Sequence, residues 1–311
     1  MKNSFIIGSR GSKLALWQAN WVKSQLAALR PDADARIEII KTSGDVMRDV
    51  PLAVIGGKGA FTKELEEALL AARIDIAVHS LKDLPTTLPD GLAITAITER
   101  EDPRDALVLR AGTSNDNASL QTLPAGAIVG TSSLRRQAQL KFLRPDVEIR
   151  DLRGNVDTRL RKLDEGRYDA VLLASAGLRR LGFAARISAP VPTDVMLPAV
   201  GQGALGIETR ADDKDTNALI VQLEHAATRA ACTAERALLF ALGGGCQVPI
   251  AAHATVNDGR LHVVGLVASM RGDEIIRAAI EDDIAQAARA GEVLAERLCA
   301  QGAERLLAEQ L

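Results

Sequence analysis

Along the first two thirds of the chain, short apolar runs alternate with stretches of helical periodicity, the pattern of sheets covered by helices. Ile6 and Ile7 open the first predicted strand. After Gly8-Ser9-Arg10-Gly11 a helix is predicted in which Ala15, Ala19, Val22, Leu26 and Leu29 recur at helical spacing. Ser12 is placed to cap it, and Pro31 lies just past its end. Trp17 and Trp21 flank that stripe and are expected in the core. A strand over 36–41 leads through Gly56-Gly57-Lys58-Gly59 to a helix over 61–72. A strand over 74–78 follows, with 79–85 as the loop at its C-terminal end, the end of an open α/β sheet where ligand groups gather. A second α/β block has strands predicted at 106–109, 128–130, 147–150 and 170–174. Pro190, Pro192 and Pro198 then read as a linker.

The last ninety residues change period. Segments 248–256, 261–269 and 274–280 alternate as strands joined by turns at Asn257-Asp258-Gly259 and Arg271-Gly272-Asp273, a small antiparallel sheet. A helix over 283–298, with Ile284, Ala287, Ala288, Val293, Leu294 and Leu298 apolar, is placed to cover one face of it.

A length of 311 residues implies two or three domains. With 47% hydrophobic residues, 25% charged and a formal net charge of -2, the chain resembles neither a disordered protein nor a strongly basic nucleic-acid binder. Aromatic residues at 3% leave few platforms on which bases could stack, so no nucleic-acid partner is expected. Cys232, Cys246 and Cys299 form no Cys-x-x-Cys pair, which argues against a disulfide framework and fits a reducing compartment. The N-terminal apolar run is short and interrupted by Arg10 and Lys13, and no segment is long enough to span a bilayer; a cytoplasmic protein with no membrane partner is expected.

Against that neutral balance, the placement of the cations stands out. Arg10, Lys58, Lys82, Arg135, Arg136 and Arg153 sit in Gly-, Ser- or Thr-rich turns, and Arg159 follows Arg153 by a few residues. Small residues beside a cation at the mouth of a helix supply backbone N–H groups and hydroxyls together with the charge, the usual equipment for holding anions. Gly56-Gly57-Lys58-Gly59 lacks the spacing and the Ser or Thr of a nucleotide-binding P-loop. Asp83, directly after Lys82, is the one carboxylate set among these groups; it either balances a neighbouring cation or faces a cationic reaction intermediate. Cys246 follows Gly243-Gly244-Gly245 and precedes Pro249, a loop that strips away shielding side chains and offers the thiol as an attachment point. His79, His225, His253 and His262 show no paired metal spacing, so no metal site is expected.

These residues resemble the porphobilinogen deaminase (hydroxymethylbilane synthase) family. The resemblance is carried by Ser9-Arg10 with Leu14-Ala15-Leu16-Trp17-Gln18, by Ile55-Gly56-Gly57-Lys58-Gly59, and by Ala77-Val78-His79-Ser80-Leu81-Lys82-Asp83-Leu84-Pro85. Further along it is carried by Gly130-Thr131-Ser132-Ser133-Leu134-Arg135-Arg136-Gln137, Leu152-Arg153-Gly154-Asn155-Val156 and Thr158-Arg159-Leu160. Leu197-Pro198-Ala199-Val200-Gly201-Gln202-Gly203-Ala204 and Gly244-Gly245-Cys246-Gln247-Val248-Pro249-Ile250 complete it. Gly11, Lys13, Gly243 and a lengthened loop at 113–118 depart from the pattern.

The resemblance implies three domains: an α/β lobe of residues 1–98 and 198–222, a second α/β lobe of 99–197, and an α+β domain of 223–311. The lobes would resemble those of periplasmic binding proteins, with crossings near 99–103 and 192–198 as candidate hinges. It also implies a dipyrromethane cofactor held by a thioether to Cys246, porphobilinogen as substrate, and a monomer. Arg10, Ser12, Ser80, Lys82, Thr131, Ser133, Arg135, Arg136, Arg153 and Arg159 would hold the acetate and propionate groups of cofactor and substrate, with Lys58 and Arg180 contributing. Asp83 would be catalytic, stabilising positive charge on the rings as porphobilinogen loses ammonia to an azafulvene and is attacked by the terminal pyrrole. Four additions and a hydrolysis would give hydroxymethylbilane. Two rivals explain part of the pattern: a non-catalytic binder of an anionic metabolite, and a transferase using Cys246 as a transient nucleophile with His253 as its base.

Overall fold

In a computed structural model, residues 2–46, 59–114, 116–244 and 248–308 are described. The elements begin with β1 (Ser4–Ser9), α1 (Lys13–Leu29), β2 (Asp34–Ile39), α2 (Ser43–Val46), α3 (Lys63–Leu70), β3 (Ile76–Ser80) and β4 (Leu92–Ile97). They continue with β5 (Asp105–Leu109), β6 (Ile128–Gly130), α4 (Leu134–Leu143), β7 (Glu148–Arg150), α5 (Val156–Asp164), β8 (Ala170–Ala174), α6 (Ser175–Arg180) and β9 (Ala189–Pro190). Then come β10 (Leu205–Arg210), α7 (Lys214–Ile220), α8 (Ala226–Ala241), β11 (Ile250–Asn257), β12 (Arg260–Ala268), β13 (Ile275–Asp283), α9 (Ala287–Ala300) and α10 (Ala303–Ala308).

The chain divides into two compact units, Met1–Glu101 with Ala204–Arg229, and Asp102–Gly203 with Ala230–Leu311. The first holds a five-stranded sheet of order β2-β1-β3-β10-β4, in which β1, β2 and β3 are parallel and β10 runs antiparallel to β3 and β4. Its core packs Phe5, Ile7, Ile76, Val78 and Ile207 against Ala19, Val22 and Leu26 of α1. The hydroxyl of Ser12 accepts from the Ala15 N–H at 3.2 Å and caps that helix as predicted. Two expectations for α1 fail: Leu29 is 41% exposed and Trp17 36% exposed, while the buried stripe recruits the amide of Gln18. The helix expected over 61–72 is shorter, because Thr62 stands at its N-cap and Ala72 turns to φ 53° just beyond its end.

The second unit contains another five-stranded sheet, β7-β6-β8-β5-β9, with the same plan: β6, β7 and β8 are parallel, and β5 runs antiparallel to β8 and β9. The expected proline linker is partly sheet. Ala189 and Pro190 form an edge strand on β5, where a missing N–H costs nothing if it faces outward.

The same unit carries the antiparallel sheet β11-β12-β13. Asn257 pairs with Arg260 across a two-residue turn whose Asp258 and Gly259 have φ 49° and 76°, which suits the right-handed twist of a hairpin. Helices α8 and α9 cover it through Ala234, Leu238, Leu294 and Leu298; a fully buried Leu of this kind contributes about 1.5–3 kcal/mol. Gly291 permits the close approach, since a Cβ there would lie 2.2 Å from the Ala234 carbonyl. The helix expected from 283 starts at Ala287 after a 3-10 turn, with the Asp283 carboxylate accepting from the Ala285 N–H. Ala138 and Leu197 join Ala251, Leu266 and Ala268 in one apolar cluster, which is why this sheet groups with the second α/β sheet in one compact unit.

Candidate functional site

In the first unit the predicted residues converge where β1 and β3 end. Arg10, one residue beyond β1, donates through Nη2 to Asp45 Oδ1 (2.7 Å) and through Nε to Oδ2 (3.2 Å), and its guanidinium lies 4.1 Å from the centroid of the Phe61 ring. Burial works against ionisation of Asp45, but the hydrogen bond and charge of Arg10, helped by Thr42, bring its pKa below the ordinary carboxylate value. Ser80, the last residue of β3, accepts from Gln18 Nε2 at 2.8 Å, fixing the strand end to α1.

The expected loop at 79–85 is therefore strand to Ser80 and then a 3-10 turn over Leu81–Asp83. Leu81 is buried as the anchor of this turn, Lys82 is half-buried, and Asp83 is exposed. Among the described residues no hydrogen bond or ion pair engages the Asp83 carboxylate. The reading of Asp83 as a counter-charge for Lys82 therefore has no support in the geometry. Asp83 lines a pocket with Arg10, Ser12, Gln18, Thr62, His79 and Ser80.

In the second unit the turn after β6 is built from its own hydroxyls. Ser133 N–H donates to Thr131 Oγ1 at 3.3 Å, Ser132 Oγ donates to the Leu152 carbonyl at 3.1 Å, and Gln137 donates to the Thr131 carbonyl. Thr131 is thereby buried, while Ser133 stands at the N-cap of α4 with its hydroxyl not spent on capping.

Arg135 and Arg136 do not project from that helix into solvent; both are 5% exposed and converge on Asp105, which is fully buried. Arg135 donates to Asp105 through Nη1 (2.7 Å) and Nη2 (3.2 Å), and Arg136 through Nη2 (2.7 Å) and Nε (3.0 Å). Gln202 adds a bond to the same carboxylate at 2.9 Å. Burial alone would neutralise Asp105, but the two guanidinium charges overcome it and hold its pKa far below the usual range. Burial pushes the Arg135 pKa down, opposed by Asp105 and reinforced by Arg136. Among the described residues two cations share this one anion, which leaves the cluster one positive charge in excess, and Arg135 Nε is a buried donor with no partner.

Arg153 and Arg159 are half-buried at the start of α5, where Arg159 Nε donates to the Gly154 carbonyl at 2.7 Å. Arg180 donates to the Gly203 carbonyl at 2.6 Å. Lys58 and Cys246 lie outside the described residues. Among the described residues no cluster of His, Cys, Asp or Glu could hold a metal ion, and no helix is long and apolar enough to cross a membrane.

Sequence reading missed the partners: Asp45, Gln18, Asp105 and Gln202. Asp105 left a trace, since an acid opening the apolar run Ala106-Leu107-Val108-Leu109 needs a buried counter-charge.

Residues 5–218 match the family model for the dipyrromethane cofactor binding domain of porphobilinogen deaminase, and residues 229–300 match the model for its C-terminal domain. The porphobilinogen deaminase of Syntrophotalea carbinolica is 54% identical over 302 residues, 97% of this chain and 94% of that one. That of Pelobacter propionicus is 53% identical, covering 97% and 96%, and that of Geobacter sulfurreducens 50% identical, covering 99% and 95%. Among solved structures, the periplasmic VFT2 domain of Bordetella pertussis BvgS is 15% identical with a TM-score of 0.41, covering 71% of this chain and 86% of that one. The ancestral amino acid-binding protein AncCDT-1 is 13% identical with a TM-score of 0.38, covering 71% and 88%.

Proposed function

We infer the function from one premise: the chain belongs to the porphobilinogen deaminase family. It condenses four porphobilinogen molecules head to tail, with release of ammonia, and hydrolyses the product to hydroxymethylbilane. Its cofactor is dipyrromethane, which when bound supplies the primer that the incoming pyrroles extend.

The residues present fit such a group. An anionic ligand is called for by the uncompensated positive charge of the Asp105, Arg135 and Arg136 cluster and by the unpartnered Arg135 Nε. In the second unit Thr131, Ser133, Arg135, Arg136, Arg153, Arg159 and Arg180 would bind acetate and propionate groups; in the first, Arg10, Ser12, Ser80 and Lys82 would do so, with Lys58. Arginine suits the task because its planar fork matches a carboxylate and does not release its proton. These side chains fix and orient the substrate and take no part in proton transfer.

The observation that carries the catalytic assignment is the Asp83 carboxylate, exposed on a pocket wall and unengaged among the described residues. There it would accept hydrogen bonds from pyrrole N–H groups and stabilise the positive charge that develops on the rings. Cys246 would anchor the cofactor through a thioether kept from one turnover to the next. We read the protein as a cytoplasmic monomer, on the strength of its cysteine usage and its family.

Intact mass tests the anchor. Purified protein is expected to exceed its sequence mass by two deaminated porphobilinogen units, and Cys246→Ser to lack that excess. An unmodified mass in active enzyme would overturn the covalent anchor and return the transient-nucleophile reading to first place.

A further inference from the structure

Beneath the pocket of the first unit lie two carboxyl groups that the reaction described above does not use. Glu66 on α3 is 7% exposed and Glu208 on β10 is 0% exposed. His79 on β3, itself buried, bridges to Glu208 with Nε2 2.9 Å from Oε2. His79 pairs in register with Gly206, two residues from Glu208, so the side-chain bond runs diagonally across the β3–β10 ladder on the face covered by α3.

Among the described residues each glutamate keeps one buried oxygen with no hydrogen-bond partner, Oε1 in both cases. Two ionised carboxylates with orphaned oxygens in one interior would repel each other and be poorly solvated. One proton placed on Glu66 gives Glu208 a donor and removes the repulsion.

We propose that Glu66 is a positioning residue for the reaction: it holds a proton in the folded enzyme and shares it with the carboxylate of Glu208, so that Glu66 and the Glu208–His79 pair together brace the end of β3. What it braces is the segment carrying Ser80, Lys82 and Asp83, and in that respect the inference rests on the role assigned to Asp83 above. The surroundings agree. Burial raises the Glu66 pKa above its ordinary value, the charges of Glu208 and Glu64 push the same way, and Thr62 and His79 oppose them. The other strands against α3, β1 (Ser-Phe-Ile-Ile-Gly-Ser) and β4 (Leu-Ala-Ile-Thr-Ala-Ile), contribute no ionisable side chain.

The sign follows from linkage: a raised folded pKa means that the stabilising protonated form is complete below 4.5, the ordinary value, and is lost as pH rises through the folded value. Loss of the proton loosens β3 at the turn that presents Asp83, so kcat falls on that limb, with a smaller rise in KM through Ser80 and Lys82.

The test uses purified holoenzyme. Infrared difference spectra across the pH range above the ordinary glutamate value should show the carbonyl stretch of a buried protonated carboxylic acid, absent from Glu66→Gln. In Glu66→Ala, kcat should drop on the order of tenfold with a smaller rise in KM, the effect of leaving a buried partner unpaired. Glu66→Gln, whose amide still donates to Glu208, should recover several-fold of that loss and flatten the limb. Should Glu66→Ala fold poorly, the spectrum and the Glu66→Gln pH profile decide alone. A spectrum without the band, or a Glu66→Gln profile that keeps the wild-type limb, overturns the proposal. Asp83→Asn distinguishes the two assignments: it should retain the band, and full activity in that variant would overturn the Asp83 role while leaving the protonation of Glu66 standing.

Discussion

Arg10 follows the first strand of its unit much as Arg135 and Arg136 follow the turn after β6 in theirs, yet the two units hold the charge in different ways. The Arg10 and Asp45 side chains are 22% and 15% exposed, and Arg10 lies on a pocket wall. The cluster on Asp105 is buried, has two cations for one anion, and is tied further by Gln202 and by the Leu197 and Leu172 carbonyls. A partly accessible ion pair can exchange its internal carboxylate for a ligand's at modest cost. A buried cluster cannot rearrange that way; it acts as a fixed field of positive sign, paid for by the packing around it. On the proposed function, identical residue types in similar turns would thus supply one adjustable contact and one preorganised one.

Removal of Asp105 is the severest way to break this contrast. Asp105→Ala leaves two adjoining guanidinium groups buried without their anion and should destabilise the protein by about 3–5 kcal/mol, read from the midpoint of chemical denaturation. Asp105→Asn should recover little, since it restores shape without charge. A loss below about 1 kcal/mol would mean that the cluster relaxes as easily as the half-buried Arg10–Asp45 pair does.

Asp83→Asn bears on function without stability. An exposed carboxylate with no partner among the described residues contributes little to folding, so the denaturation midpoint should hold while kcat falls by about 10²–10³-fold, the scale of a lost electrostatic contact in a transition state. Unchanged turnover would show that the pocket wall performs its chemistry without this group.

Arg10→Ala gives the smallest stability change, about 0–1 kcal/mol for a pair of this exposure, with an accompanying rise in KM. Acid titration separates the same two regions. Both aspartates have folded pKa values below 3.8, their ordinary value, so each contributes stability that is complete above it and lost as pH falls through the folded value. Asp105, depressed much further by two guanidinium groups, should keep its charge after Asp45 has been protonated. In Asp45→Asn the acid limb of stability should change little, whereas Asp105→Asn should flatten it.

Much of the candidate site was legible along the sequence because the residues proposed to bind anions announce themselves locally, as cations among small residues next to strand ends: Arg10, Lys82, Arg135 and Arg153 are of that kind. Their partners are not local. Arg135 meets Asp105 30 positions away, and His79 meets Glu208 129 positions away. Periodicity describes which face of one element is apolar; it carries no information on which distant strand will lie beside it. That is also why β10 went unread as the neighbour of β3, and why Pro190 looked like linker when it was the edge of a sheet. Trp17 misled for a different reason, as a large apolar side chain at the border of a helical stripe can lie on either side of the surface.

The position of β10 between β3 and β4 also has a consequence for biosynthesis. As the chain leaves the ribosome, its first hundred residues contain four of the five strands of that sheet, but β3 and β4 have nothing to pair with across the gap between them. The missing strand appears only after the whole second α/β sheet has been translated. Until then the nascent chain carries two unpaired strand edges, the feature most prone to join with other chains, for the time needed to make about a hundred further residues at roughly 5–20 residues per second. The second sheet receives its own inner antiparallel strand, β5, first and can close as it emerges. Assembly therefore proceeds out of sequence order, with the unit begun first completed after the sheet that interrupts it.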